Sequence, residues 1–236
     1  GSLAVRIINE YHGLNLSRPP RITWVSTVEQ AMAMLADRVF DLVITMPHLG
    51  EMDCNAFGAR VKEKHPGIPV ILLAHSIQDA ISRFDANMPC HIDNIYVWCG
   101  DSDLLLAIVK NVEDRRNVDH DTQRAMVRVM LLVEDSALHR SQILPILYRE
   151  LVRQTQAVLD EGLNEQHRLL KMRARPKILT ADSYEEGVDL FSRYRQNIFA
   201  VISDAGIPRS GKVHDSAGIA FMRLIRRTVP DMPLLM

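Results

Sequence analysis

Short apolar runs alternate with longer amphipathic stretches along this chain. The clearest run is Val129-Met-Leu-Leu-Val133, which stops at two adjacent carboxylates, Glu134 and Asp135, and then Ser136. An apolar run bounded by turn-forming polar residues predicts a strand buried on both faces of a parallel sheet. A second run over 198–203 ends in a lone carboxylate, Asp204. The same pattern predicts strands over 22–25, 40–46, 70–74, 95–98, 177–181 and 232–236. Helical spacing of apolar positions predicts helices over 3–12, from Thr27 through Leu35, from Asp53 or Asn55 to Lys64, and over 77–84, 104–112, 138–159, 164–172, 183–194 and 216–227. Thr27 with Gln30, and Ser183 with Glu186, have capping-box spacing. Residues 47–53 and 208–215 read as loops. Residues 115–123 are polar, mixed in charge and without apolar periodicity, which reads as a linker. Strands alternating with helices in this way predict βαβ units, hence an α/β fold with parallel sheets.

The two halves also resemble each other. Phe40-Asp-Leu-Val-Ile-Thr-Met46 parallels Ile198-Phe-Ala-Val-Ile-Ser-Asp204, and the Pro-containing run 65–73 parallels 229–236. A period of this length is too long for a solenoid and implies a duplicated domain. The 236 residues allow two such domains, each with its own core. A net charge of −1 provides no global field for nucleic acid or an anionic membrane. No apolar run approaches the roughly 20 residues of a membrane span, and the first residues lack a secretory signal layout. Cys54, Cys90 and Cys99 are scattered without CxxC spacing, as expected of reduced thiols in a cytoplasmic protein. Glycine-rich nucleotide loops, HExxH and GxSxG are absent from the sequence.

In an open parallel sheet, ligands bind at the carboxyl ends of the strands, where Glu134, Asp135 and Asp204 would converge. Three carboxylates there suit a hard cation such as Mg²⁺, which takes oxygen ligands and keeps several waters. The plainer reading is that Glu134 and Asp135 cap the following helix.

A strand ending in two acids and another ending in a lone Asp resemble the receiver domain of two-component response regulators. Asp204-Ala-Gly-Ile-Pro208 keeps that family's Asp-x-x-Met-Pro spacing, with Ile207 in the Met place. The resemblance implies two flavodoxin-like, receiver-type domains, each a parallel sheet of order 2-1-3-4-5 with helices on both faces. Residues 1–115 would be a degenerate pseudo-receiver, 116–127 a linker, and 128–236 a receiver with a long helical insertion over about 138–174. Both would be incomplete at the chain ends. The first would lack its first strand, and the second would stop in its fourth, so the family's Ser/Thr and Lys would lie beyond Met236. The resemblance further implies that Asp204 is the phosphoacceptor. Mg²⁺ would be held by Asp135, Asp204 and the backbone carbonyl of Gly206, with Glu134 acting through water. In the first half Met46 falls at the acceptor position, and a thioether cannot form an acyl phosphate. Ser76 falls at the Ser/Thr place, while Trp98-Cys99-Gly100 stands where a Lys would follow. A relocated site using Asp53 or His48 is the lesser reading.

Leu14-Asn-Leu-Ser-Arg-Pro-Pro20, the stretch 112–122, Glu161-Gly-Leu-Asn-Glu-Gln-His167 and Arg173-Ala-Arg-Pro176 resemble the N-terminal region of large bacterial proteins. Those proteins join tandem receiver-like domains to a PEP synthase-type, PEP/pyruvate-binding domain. The function so implied is phosphorelay signalling, with at most self-dephosphorylation as an activity. Partners would be a histidine kinase or phosphotransfer protein and a fused PEP/pyruvate-binding domain, without nucleic acid or membrane. The alternative is a module that is never phosphorylated and regulates that fused enzyme. Asp119-His-Asp121 reads as polar linker rather than a metal site, and the basic run 168–177 as a solvated helix face. Apolar Leu147, Leu151, Val158, Leu163 and Leu169 would pack on the first domain or form a homodimer seam.

Overall fold

Each apolar run that stops at polar residues needs a partner strand on either side, and the fold supplies two parallel sheets for them. The computed structural model describes residues 20–50, 52–81, 90–160 and 175–236. The expected helices at 3–12 and 164–172 lie outside these residues. In the first half, α1 (Val28–Asp37) precedes β1 (Val43–Thr45), then β2 (His48–Leu49), β3 (Met52–Asp53), α2 (Cys54–Lys64), β4 (Val70–Ala74), α3 (Ile77–Ile81), β5 (Asn94–Val97) and α4 (Asp103–Ala125). In the second half β6 (Val129–Val133) leads to α5 (Ala137–Asp160), β7 (Lys177–Ala181), α6 (Tyr184–Tyr194), β8 (Ile198–Ser203), β9 (Ile207–Arg209), β10 (Lys212–His214), α7 (Ala217–Thr228) and β11 (Leu234–Leu235). The first sheet runs β1-β4-β5 and the second β11-β8-β6-β7, every pairing within them parallel. The chain is therefore α/β with parallel sheets, as the apolar pattern predicts.

Local signals place the helix starts. Thr27 Oγ1 accepts from Gln30 N at 3.2 Å, and Ser183 Oγ from Glu186 N at 3.3 Å. Glu186 reaches back to Asp182 N at 3.0 Å. Asp53, not Asn55, caps α2 by accepting from the amides of Asn55 and Ala56.

Three expectations are corrected. Residues 22–25 form no strand, and Ile22 and Trp24 are exposed; β-propensity without a neighbouring ladder does not make a strand. The two expected loops each fold into a small antiparallel hairpin, β2 with β3 and β9 with β10. In the second hairpin Ser210 (φ 53°) and Gly211 (φ 77°) both take the left-handed conformation that a two-residue hairpin turn demands. The stretch 116–125, expected as linker, is the second half of α4. The buried stripe of α4 runs on from Asn111 and Asp114 to Val118 and Thr122 at helical spacing, but three of these four are polar. A periodicity count on apolar residues cannot see that face.

The polar face of α4 is satisfied by the second sheet. Asn111 Nδ2 donates to Ile178 O at 3.1 Å, and Asp114, fully buried, accepts from Tyr148 Oη at 2.8 Å and Ile178 N at 2.9 Å. Arg175 pairs with the same carboxylate. One apolar cluster then joins the halves: Ile71, Tyr96, Leu104 and Ile108 pack with Leu132, Leu144, Tyr148 and Ile178, with Leu147 and Leu151 against them. Those two leucines of the insertion thus pack against the cluster that the halves share, whereas the side chains of Val158, Leu163 and Leu169 lie outside the described residues.

Candidate metal centre

The site is built by strand register. Val133 sits opposite Ala181 of β7 and Ser203 of β8. The next residue on each strand is an acid: Glu134, Asp182 and Asp204. The ladder runs one residue past the matched trio, since Glu134 N donates to Ala181 O at 2.9 Å and Asp204 N to Val133 O at 3.0 Å. A β-bulge creates this alignment. Val129 faces Ile198 but Met130 faces Ala200, so Phe199 is the extra residue, and the Arg128 guanidinium lies 5.4 Å from its ring. Without the bulge Val133 would face Ile202, and Asp204 would move one residue away from Glu134. Bulges of this kind re-aim side chains near functional sites.

Ligand oxygens of Glu134, Asp135 and Asp204 lie within 4.8 Å of one another, the one such group among the described residues. Glu134 is buried, Asp135 half-buried and Asp204 exposed. Glu134 spends Oε1 on the Ser136 amide at 2.9 Å, and Asp204 spends Oδ1 on the Ala205 amide at 2.7 Å. The backbone of Asp204 is held from beneath by α7. A Cβ on Gly218 would come 1.8 Å from Asp204 O, so only glycine admits this approach, and Gly218 N donates to Ala205 O at 3.0 Å. Ser203 Oγ donates to Asp204 O at 2.9 Å.

Like charges at this spacing strain the ionised state. Burial pushes the Glu134 carboxyl above its ordinary range; Asp204 and Asp135 push the same way, opposed by the Ser136 amide. Burial also raises Asp135, helped by Asp204 and opposed by its own amide and by Arg140. An all-oxygen, net-negative donor set with this electrostatic tension fits a hard cation and no soft one. The acidic cluster can hold a metal ion.

Asp182 has register but not freedom. Arg140, buried on the first turns of α5, pairs with it and also donates to Glu134 O at 3.0 Å and to Ile95 O of β5 at 3.0 Å. Its guanidinium lies 5.4 Å from the Tyr96 ring, whose hydroxyl burial pushes up to about 12. The arginine thus keeps a fourth carboxylate out of the cluster and ties the site to the first sheet. Neither residue stands out in the apolar pattern of the chain as a site candidate, although Asp182 is the first polar residue after a buried run, the rule that picks out Glu134 and Asp204. Arg140 carries no such signal.

The other candidates are dispersed. Met46 follows β1 as Asp204 follows β8, and Thr45 Oγ1 donates to Met46 O at 3.4 Å in the manner of Ser203, but Met46 brings no carboxylate. Asp53 caps α2, and His48 Nε2 lies 3.9 Å from Asp79 Oδ1. Ser76 Oγ accepts from Asp79 N at 3.1 Å. Asp119 turns to Arg193 and Tyr194, and Asp121 to Lys177 and His120. Of the basic run, Arg175 and Lys177 both meet Asp114, while 168–174 lie outside the described residues. Gly206 lies between Asp204 and β9. Among the described residues no helix is long and apolar enough to cross a membrane. No known protein family and no curated protein matches the chain.

Proposed function

We propose that Asp204 accepts a phosphoryl group from a phosphohistidine on a histidine kinase or phosphotransfer protein, at a Mg²⁺ site made by Asp135, Asp204, the carbonyl of Gly206 and, through water, Glu134. In this reading both halves are flavodoxin-like receiver-type units of sheet order 2-1-3-4-5, and only the second carries phosphate. The observation that supports it most is the register itself, which delivers one exposed carboxylate beside two more buried ones at a sheet's carboxyl edge. Exposure suits Asp204 to meet a bulky donor, and burial suits its neighbours to hold a cation.

In the transfer, an Asp204 carboxylate oxygen forms a bond to phosphorus as the phosphorus–nitrogen bond of phosphohistidine breaks, and the imidazole leaves neutral after taking a proton from solvent. A bound Mg²⁺ supplies charge neutralisation between nucleophile and phosphoryl oxygens. The chain's own part is positional: the bulge, Gly218 and the ladder bond from Asp204 N to Val133 O fix the nucleophile, and Arg140 keeps Asp182 from adding charge. The acyl phosphate carries about −1.5 to −2 charge where the free carboxylate carried one.

The test is intact-mass analysis after incubation with Mg²⁺ and phosphoramidate or acetyl phosphate. A single base-labile phosphoryl adduct that disappears in Asp204→Asn, and is not formed in EDTA, is the expected result. A chain that never takes the label would support the second reading, an interaction module that regulates a fused PEP/pyruvate-binding enzyme without being phosphorylated. What favours that role for the first half is Met46 at its acceptor position.

A further inference from the structure

Many arginines of this protein are matched by acids: Arg115 with Glu186, Arg116 with Asp41, Arg149 with Asp103, Arg153 with Glu150 and Arg193 with Asp119. Helix α7 departs from that habit. Its inward face is Ala217, Gly218, Phe221, Met222 and Ile225. Its outward face sets Ala220, Arg223, Leu224 and Arg227 at helical spacing, and the last three are exposed. Among the described residues neither Arg223 nor Arg227 has a side-chain hydrogen bond or ion pair. Arg209, reaching over from β9, stacks 4.3 Å from the centre of the Tyr184 ring. Arg226 adds a fourth guanidinium at the end of the helix, donating to Pro230 O.

Two adjoining depressions lie along this face. One, of about 330 Å³, is lined by Arg209, His214 and Ser216; the other, of about 310 Å³, by Tyr184, Arg223, Leu224 and Arg227. They share Arg209 and Ala220. The nearby Glu185 has one carboxylate oxygen committed to the Ser210 amide at 2.9 Å.

We propose that this groove docks an acidic segment of a partner protein. Guanidinium forks recognise carboxylates in bidentate fashion and retain less water than ammonium groups, so arginine is the residue for such a contact. Leu224 and the Tyr184 ring between the arginines give an apolar side chain of the segment a place to lie. A nucleic acid would need a longer phosphate track and a protein whose overall field attracts it, and this chain's net charge is −1. The groove depends neither on the acid cluster nor on phosphorylation.

The test is fluorescence anisotropy of the full chain with a labelled peptide of glutamates flanking a leucine, alongside a single-stranded oligonucleotide of equal charge. The peptide binds in a salt-sensitive manner, and the double variant Arg223→Glu, Arg227→Glu loses about tenfold or more in affinity. The milder pair Arg223→Gln, Arg227→Gln falls between, and Arg60→Glu, the same charge change on an exposed part of α2, leaves affinity unchanged. Far-UV circular dichroism of each variant reads whether the fold is intact. Absence of peptide binding, equal loss in Arg60→Glu, or tighter binding of the oligonucleotide would each overturn the proposal.

Discussion

At the scale of single residues, the tension lies in Glu134 and Asp135, whose carboxyls the fold holds above their ordinary range. Asp204 contributes to both shifts. Asp204→Asn therefore relieves repulsion, and in EDTA it should stabilise the protein by about 1 kcal/mol, or about 2–4 °C in thermal midpoint. Solvent screening of the exposed Asp204 keeps the gain that small. In excess Mg²⁺ the order reverses, because wild type then gains binding energy that the variant lacks. A midpoint that falls in EDTA would contradict the electrostatic account. The pH dependence follows from the same direction of shift. A raised folded-state carboxyl binds its proton more tightly than the unfolded chain does. Stability of the metal-free protein is thus lost as pH rises from the ordinary carboxyl range through the raised folded values, and levels off above them. Cation binding needs the deprotonated pair, so Mg²⁺ affinity should weaken as pH falls through that same window, with proton release on binding at its centre. Calorimetric titrations in two buffers of different ionisation heat would show the released protons. Affinity that does not change with pH there would count against this site.

At the scale of elements, the site depends on a bulge and a glycine. Gly218→Ala places a Cβ against Asp204 O and should cost about 1–3 kcal/mol while weakening Mg²⁺ binding, because α7 or Asp204 must shift. Gly67→Ala, at a position where a Cβ meets nothing within 4 Å, should change neither urea midpoint nor affinity. Equal effects from the two would remove the packing explanation. The strands of both sheets and the capping boxes of α1 and α6 were legible, because apolar runs and cap spacings are local. So were Glu134, Asp135 and Asp204, which end such runs. The hairpins at 48–53 and 207–214 were not, since their pairing depends on turn geometry at Gly50, Ser210 and Gly211 more than on alternation. The bulge at Phe199 was equally hidden: one extra residue leaves no mark in an apolar run, yet it decides which acid stands beside Glu134. The continuation of α4 through Ala125 escaped because its buried stripe includes Asn111, Asp114 and Thr122: the first two are paired with Ile178 of β7, far along the chain, and Thr122 with Val118 O of its own helix, so no apolar period marks them.

At the scale of the whole molecule, the two sheets share an apolar cluster. Arg140 ties Glu134 and Asp182 of the second sheet to Ile95 of the first, and Ser141 Oγ accepts from Val97 N at 2.8 Å beside it. Both tryptophans, Trp24 and Trp98, lie in the first half. Tryptophan fluorescence therefore follows that half, while far-UV circular dichroism follows both. The shared cluster predicts coincident urea transitions by the two probes. Arg140→Met should shift both by about 2 kcal/mol together, since it strands two carbonyls and Asp182. Two separated transitions in wild type would mean the halves fold independently.

The most direct measurement is to locate the phosphoryl group. Protein treated with phosphoramidate and Mg²⁺ is reduced with borohydride, which converts an aspartyl phosphate to homoserine, then digested and sequenced by mass spectrometry. The account predicts homoserine at position 204 and nowhere in the first half. Homoserine at another aspartate, hydroxynorvaline at a glutamate, or neither in a chain shown to bind Mg²⁺ at Asp135, would contradict it.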